Sequence, residues 1–378
     1  MKAAFRVLVI NILLFLPVLY GFELFLRLRL NVEPRDTYLR LGWRPLMPVW
    51  MGEVSALQDR FRVPMLGAVP NSRTFLCDDG YGSVVYDSDH LGFRSSSVDY
   101  QGGAPYDIVI VGDSFMHGWC HADALAERLR EKGRKVVNTA IAGSHPYQYR
   151  AALRTFVSNP APPRNLILGI YLGNDYGSCP GCASRYSIDN PSLKKLYTYS
   201  NSLEMHQLLK SPSVDEYLKE LKSLQELKTN SFIAVSTWQI IKLGEVRQFI
   251  RAIISPKRSD IERLPDSFTL PINSAVVKNL LSEFVEICSP STDCRPVLVS
   301  IPSNEAGESP QLRDQISLVH NQLVKNLMQQ YPYLAEVNLR RPLRGSASCA
   351  KPLYDSPGKH LSRSGQECLN DLVLNQLL

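Results

Sequence analysis

Several signatures of common enzyme and binding classes are missing from the sequence. It has no P-loop, no G-x-G-x-x-G and no H-E-x-x-H segment, so a nucleotide-binding or zinc-protease function lacks support. It has no G-x-S-x-G elbow either, which disfavours the α/β-hydrolase family. The net charge of +6 is mild and the basic residues are scattered. Because a basic stripe interleaved with aromatic residues is absent, we do not expect nucleic-acid binding.

One long hydrophobic run stands near the N-terminus. Residues 7–26 are largely apolar, with Lys2 and Arg6 before the run and Arg27 and Arg29 after it. About 20 such residues cross the core of a bilayer, and no A-x-A-like cleavage site follows. We therefore expect residues 1–30 to form a signal anchor with one transmembrane helix. We expect residues 31–105 to form a juxtamembrane lead that packs on the main domain.

The basic residues and the cysteines disagree about the side of the membrane on which the body lies. More basic residues follow the hydrophobic run than precede it, which by the positive-inside rule places the body in the cytoplasm. The eight cysteines are instead typical of disulfides in an exported chain, and long domains translocate largely regardless of charge. We therefore expect the body in the periplasm or at the cell exterior.

Cysteine spacing suggests two disulfides and leaves one segment open. Cys288 with Cys294 and Cys349 with Cys368 are attractive pairs. The CPGC segment at 179–182 could also be half a zinc site or a redox pair. Because a second CxxC or an HxxxH partner is absent, we expect no metal and no cofactor.

From residue 106 onward the sequence alternates buried apolar strands with amphipathic helices. Predicted strands cover 106–112, 135–141, 164–175, 295–302 and 334–339, and predicted helices cover 121–133, 146–158, 272–288, 311–331 and 362–378. This alternation indicates an α/β fold, a three-layer α/β/α sandwich around a mainly parallel sheet. We expect the main domain over 106–185 and 291–378, with a helical insertion or lid over 186–290.

Polar clusters follow four of these predicted elements. They are GDS at 112–114, NTAIAGS at 138–144, GND at 173–175 and YDSPGKHLSRSG at 354–365. Ligands of open parallel sheets bind beyond the carboxyl ends of the strands. A serine, glycine amides, an asparagine and a histidine at one edge of the sheet form a set that nucleophilic catalysis could use.

These clusters resemble the four sequence blocks of the SGNH hydrolase superfamily, the GDSL-type esterases and acetyl-transfer enzymes. The resemblance covers residues 90–178 and 296–378, including the upstream LGFRSSS segment found in many membrane-anchored members. It implies the flavodoxin-like SGNH fold. It also implies that Ser114 is the nucleophile and His360 the base, with Gly143 and Asn174 as oxyanion donors.

Elementary chemistry supports each of these roles separately. A serine hydroxyl is a poor nucleophile until a base takes its proton, and histidine titrates near neutral pH. The oxyanion needs donors, which the Ser114 amide, the Gly143 amide and the Asn174 side chain would supply. Taken singly, Ser114 could be a helix N-cap and Gly143 a plain turn glycine. Taken together and in this order, the residues favour catalysis.

Neighbouring polar residues receive supporting or ordinary roles. Asp113 is expected to fix the Ser114 turn by local hydrogen bonds, and Asp175 to do the same beside Asn174. For His117, His121 and His145 we expect surface or hydrogen-bonded core positions rather than direct roles in the reaction.

The last block departs from the family pattern. In the family the acid usually stands three positions before the histidine, but here position 357 is proline and Asp355 stands five before His360. A tight turn at Pro357-Gly358 could bring the Asp355 carboxylate back to the ring, so we predict Asp355 as the residue that orients His360. Alternatively, a backbone carbonyl orients the ring, or the site is impaired.

The sequence therefore predicts a membrane-anchored esterase that acts through an acyl-enzyme on Ser114. The expected substrate is an acylated small molecule or polysaccharide, by analogy an O-acetyl ester of an envelope or exported glycan. If a sugar hydroxyl replaces water, the same site is an O-acyltransferase. The remaining alternative is a non-catalytic module with a degenerate fold that binds glycan or a membrane partner.

Overall fold

The computed structural model describes rather more than half of the chain. The described residues are 15–23, 25, 57, 60, 67, 69–78, 83–89, 92–95, 106–157, 162–177, 215–227, 247, 274–289, 292–304, 309–340, 348–354 and 360–377. Most of the predicted main domain is among them, and most of the predicted insertion is not.

A five-stranded parallel sheet forms the centre of the molecule. Its strands are β3 (Ile108–Val111), β4 (Val136–Asn138), β5 (Asn165–Tyr171), β6 (Arg295–Ile301) and β7 (Ala335–Asn338), in the order β4-β3-β5-β6-β7. Each neighbouring pair is parallel. By chain order within the sheet this is the 2-1-3-4-5 arrangement of flavodoxin-like folds. The predicted α/β class and parallel sheet are confirmed.

Helices cover both faces of this sheet. They are α1 (Ser114–His117), α2 (Leu125–Glu131), α3 (Pro146–Ala152), α4 (Ser274–Ile287), α5 (Pro310–Gln330) and α6 (Arg363–Leu377). A π-helical turn at Leu153–Val157 extends α3, and a 3-10 turn lies at Ser348–Ala350. The predicted helices of the main domain are all present, within a few residues of their expected bounds.

Alternating side chains of the strands build two separate cores. On β3, Val109 and Val111 join the core under α3, α4 and α5, whereas Ile108 and Ile110 join the core under α2 and α6. Because successive side chains of a strand point to opposite faces, an unbroken β-branched run such as this one must be covered on both sides. The three-layer arrangement follows from that requirement.

Two parts of the chain outside the sheet domain are also described, and the second of them contributes to one of these cores. An antiparallel hairpin, β1 (Arg73–Asp78) and β2 (Ser83–Asp87), lies in the predicted lead. The helical residues 215–227 lie within the predicted insertion, and Tyr217 and Leu221 are fully buried in the core on the α4 face. The rest of the predicted insertion before α4 falls outside the described residues, except for position 247.

Two disulfides close short loops of the main domain. Cys288 bonds Cys294, and Cys349 bonds Cys368, as expected from their spacing. Cys120 is disulfide-bonded as well. The CPGC segment lies outside the described residues.

Half of the predicted transmembrane run, at 15–23 and 25, is among the described residues, and these residues are helical. Within the described part of the chain, the structure contains no helix that is both long and apolar enough to cross a bilayer.

Candidate active site

Ser114 and His360 meet at the carboxyl edge of the sheet. The Nε2 atom of His360 lies 2.8 Å from the Oγ atom of Ser114. The two residues are separated by 246 positions in the chain, so the fold alone brings them together. Ser114 is buried, with 8% of the residue exposed.

The turn from β3 into α1 presents Ser114. Asp113 is the N-cap of α1, and its Oδ1 atom accepts a hydrogen bond of 3.0 Å from the Phe115 amide. This is the local role predicted for Asp113. The Asp113 cap accepts from the Phe115 amide. The Ser114 amide, one residue earlier, is the predicted oxyanion donor.

Two glycines allow α1 to lie directly on the sheet. A Cβ atom at Gly112 would stand 2.5 Å from Cγ of Met116, and one at Gly169 would stand 2.1 Å from the same atom. The Met116 side chain is fully buried and lies against Gly112, after β3, and Gly169, in β5. The glycine in the middle of the apolar run LILGIY is thus a sequence signal of close packing.

Aromatic rings surround the His360 imidazole. The Phe115 ring centroid lies 5.1 Å from that of His360, and the Trp119 centroid lies 5.4 Å from it. Phe115 packs in turn on Tyr171 at the end of β5, at 4.2 Å between centroids. These apolar faces restrict where the imidazole ring can move.

The loops that carry Gly143 and Asn174 flank the nucleophile. They follow β4 and β5, the two strands that pair with β3 on either side. In a sheet of this order the chain changes direction between β3 and β5, and ligands bind at such a switch point. The structure therefore places both predicted oxyanion donors at the same edge of the sheet as Ser114.

Gly143 lies in a tight turn. The Ser144 amide donates to the Ile141 carbonyl oxygen at 3.1 Å, which closes the turn. Gly143 has φ of 82°, a value that favours glycine over residues with a Cβ atom. The positive φ of this turn explains why glycine stands here. Gly143 is exposed at the carboxyl edge of the sheet.

The turn that carries Asn174 is anchored by buried side chains. Asp175 accepts from the Tyr171 amide at 2.8 Å through Oδ2 and from the Tyr149 hydroxyl at 2.9 Å through Oδ1. This is the supporting position expected for Asp175. Burial, together with the nearby carboxyl of Asp113, raises the pKa of Asp175 well above its usual range. Asn174 itself is exposed.

A buried chain of hydrogen bonds extends from this turn across the sheet. His320 Nδ1 lies 2.8 Å from the Tyr176 hydroxyl, and His320 Nε2 lies 2.8 Å from Ser300 Oγ. Ser300 donates to the Glu336 carboxylate at 2.8 Å. Because Ser300 donates its only hydroxyl proton to Glu336, it must accept from Nε2 of His320. Neutral His320 then has no proton on Nδ1, which accepts from the Tyr176 hydroxyl. No motif or spacing in the sequence predicts a role for His320.

Arg94, in the segment LGFRSSS, fixes the chain that follows α1. The side chain is 3% exposed. Its Nη1 donates to the Gly118 carbonyl at 2.8 Å, its Nη2 to the His121 carbonyl at 2.9 Å, and its Nε to Glu127 at 2.9 Å. A buried guanidinium thus satisfies the carbonyl oxygens past the end of α1.

The three neighbouring histidines are all at least partly buried. His117 packs edge-on against Tyr86, and burial, with further contributions from Arg94 and His360, lowers its pKa to about 3. His121 Nε2 lies 2.9 Å from the Leu361 carbonyl oxygen, and His145 Nε2 lies 3.2 Å from that of Gly177. His121 and His145 therefore connect loops of the site, a relationship that sequence spacing could not indicate.

Asp355 lies outside the described residues, so its relation to His360 stays a prediction. Among the described side chains, no group of three or more histidine, cysteine, aspartate or glutamate residues could hold a metal ion.

Comparison with known proteins gives likenesses of structure alone. No protein-family model matches the chain, and no curated protein matches it in sequence. A crystal structure of a GDSL-like lipase from Bacteroides thetaiotaomicron is similar with a TM-score of 0.38 and 12% identity, over 74% of this chain and 94% of that one. A Streptococcus pneumonia structure provisionally described as a platelet activating factor is similar with a TM-score of 0.35 and 15% identity, over 75% and 88%. These scores are too low to assign a family or a function.

Proposed function

We propose that the protein is a serine esterase of the SGNH type. The observation that carries the proposal is the 2.8 Å separation of Ser114 Oγ and His360 Nε2 at the carboxyl edge of a parallel sheet. A serine hydroxyl this close to an imidazole nitrogen can transfer its proton as it attacks. The position at a switch point between strands is where ligands of such sheets bind.

The proposed reaction proceeds through an acyl-enzyme. His360 takes the Ser114 proton while Oγ attacks the ester carbonyl, and the tetrahedral intermediate collapses as the leaving alcohol receives that proton. A water molecule then attacks the acyl-enzyme, giving its proton to His360. Collapse of the second intermediate releases the acid and returns the proton to Ser114.

The oxyanion of each intermediate is proposed to bind the Ser114 amide, the Gly143 amide and the Asn174 side chain. Support comes from the two loops, which flank β3, and from the anchoring of the Asn174 turn through Asp175. Donors held in place before the reaction stabilise developing charge more than water does, because they need no reorganisation.

We further propose that the body faces the periplasm or cell exterior and that the substrate is an acylated glycan or small molecule. The two disulfides of the main domain support export, since such bonds persist in oxidising compartments. Thiol labelling of intact cells should then find few reactive cysteines. Abundant reduced thiols accessible from the cytoplasm would contradict this location.

Hydrolysis of p-nitrophenyl acetate by the full chain tests the proposed chemistry. We expect turnover by the wild type and loss of it in Ser114→Ala and His360→Ala. Ser223→Ala is the matched control, because Ser223 is exposed and its hydroxyl bonds only locally to the Lys219 carbonyl. A serine-reactive fluorophosphonate should add to Ser114 in the wild type and in the control.

The same assay separates the proposal from its alternatives. Equal rates in wild type and Ser114→Ala, with no adduct on Ser114, would identify a non-catalytic binding module. Adduct formation with little hydrolysis, and mass gain on a supplied glycan, would identify an O-acyltransferase instead of an esterase.

A further inference from the structure

A hydrogen bond joins the chain that follows the nucleophile to the residue that follows the base. His121 is 6% exposed, and its Nε2 atom lies 2.9 Å from the carbonyl oxygen of Leu361. A carbonyl oxygen can only accept, so Nε2 carries the proton and donates it. The two residues are 240 positions apart, and Leu361 is the immediate neighbour of His360.

The donor end of this bond is held in place. The carbonyl oxygens of Gly118 and His121 both accept from the buried Arg94 guanidinium. Gly118 has φ of 76°, and a Cβ atom there would stand 2.1 Å from that of Ala124. The turn between α1 and α2 is therefore closely packed, and it aims the His121 ring in one direction.

The acceptor end is held mainly to its own part of the chain. The Ser362 amide donates to the Leu353 carbonyl at 2.7 Å, and the Ser362 hydroxyl donates to the Pro352 carbonyl at 2.8 Å. Tyr354 and Leu361 form an isolated antiparallel bridge. These bonds fix residues 360–362 to residues 352–354, but they do not fix that pair of segments to Ser114. Tyr354 also donates to the Pro302 carbonyl and Asn370 to the Asp123 carbonyl, but the bond from His121 is the one nearest the base, one residue from it.

We propose that His121 is a positioning residue that holds His360 in register with Ser114. This inference rests on the proposed function, in which His360 must accept the Ser114 proton. The imidazole ring is confined by Phe115 and Trp119, whereas the backbone that carries it is tied to the nucleophile side by His121. Loss of the bond lets the 2.8 Å contact lengthen, and proton transfer falls off steeply when reacting groups are misplaced.

Two substitutions separate the hydrogen bond from the packing of the ring. His121→Phe keeps a planar ring of similar size but has no donor, whereas His121→Gln offers an amide N–H that can reach the Leu361 carbonyl. With p-nitrophenyl acetate as the probe, we expect His121→Phe to lower kcat by roughly tenfold to a hundredfold with little change in KM. His121→Gln should restore most of the rate.

Hydrogen exchange of the peptide that contains residues 360–362 gives a readout that does not depend on turnover. It should be faster in His121→Phe than in the wild type and close to wild type in His121→Gln. Wild-type kcat in both variants, or an equal loss in both with an equal fall in Tm, would overturn the positioning role. If the wild type shows no Ser114-dependent hydrolysis, the proposed function fails. Hydrogen exchange then tests by itself whether the His121–Leu361 bond holds residues 360–362, and equal exchange in the two variants refutes that role.

Discussion

His145 donates from Nε2 to the carbonyl oxygen of Gly177 across 3.2 Å, and this bond joins the loop of Gly143 to the turn of Asn174. The two loops follow different strands and supply different predicted oxyanion donors. Burial lowers the pKa of His145, so the ring is neutral near pH 7 and needs only this one acceptor for its Nε2 proton. The loops of the two predicted oxyanion donors are thus linked to each other, as the proposed positioning bond of His121 links the segments of Ser114 and His360.

Removal of that link should weaken oxyanion binding. We expect Asn174→Ala to lower kcat by about 10²–10³-fold, the typical cost of one lost donor. His145→Phe should lower kcat by roughly tenfold through misplacement of the Asn174 turn. In a double-mutant cycle the two effects should be less than additive, because His145 acts through Asn174. His145→Gln, which retains a donor, is the control, and full additivity of the two losses would show that the bond does not serve the oxyanion site.

Asp355 offers a test of how the His360 ring is oriented. If its carboxylate accepts from Nδ1, Asp355→Asn should lower kcat by roughly 10²–10⁴-fold. It should also move the acidic limb of the pH–rate profile to lower pH, since an adjacent carboxylate favours the protonated imidazole. Asp371→Asn on the exposed side of α6 is the matched control. A kcat within twofold of wild type would instead assign the orienting role to a backbone carbonyl.

Most of the sheet domain could be predicted because its signals are local. The run Ile108–Val111 is β-branched throughout and buried on both faces, and the helices carry apolar residues at helical spacing. Both short-range disulfides could be expected from the separation of their cysteines, which is 6 and 19 positions. The pairing of Ser114 with His360 could be predicted because the segments around them resemble two sequence blocks of the SGNH hydrolases.

The supporting contacts could not be predicted because they join segments far apart in sequence. Arg94 reaches carbonyl oxygens 24 and 27 positions away, and His121 reaches one 240 positions away. A backbone carbonyl exists at every residue, so no composition or spacing marks the one that a side chain will find. His320 is a similar case, because its two side-chain partners, Tyr176 and Ser300, lie 144 and 20 positions away.

The His320 network should make the stability of the protein depend on pH. His320 donates from Nε2 to Ser300 and accepts at Nδ1 from Tyr176, so a second proton would leave the Tyr176 hydroxyl without its acceptor. Burial lowers the pKa of His320 to about 4. In the unfolded chain a histidine titrates near pH 6.5. Between these values the unfolded chain binds a proton that the folded chain does not.

The stabilising effect of neutral His320 is therefore complete above about pH 6.5 and is lost as the pH falls toward 4. Across this window we expect the free energy of unfolding to fall by about 1.4 kcal/mol per pH unit on account of this one group. His320→Gln provides a non-titrating comparison, since its amide can accept from Tyr176 and donate to Ser300. Urea unfolding of both proteins near neutral pH and at mildly acidic pH measures the difference. We expect the wild type to lose stability more steeply than His320→Gln on acidification, and parallel pH dependences would show that folding does not lower the pKa of His320.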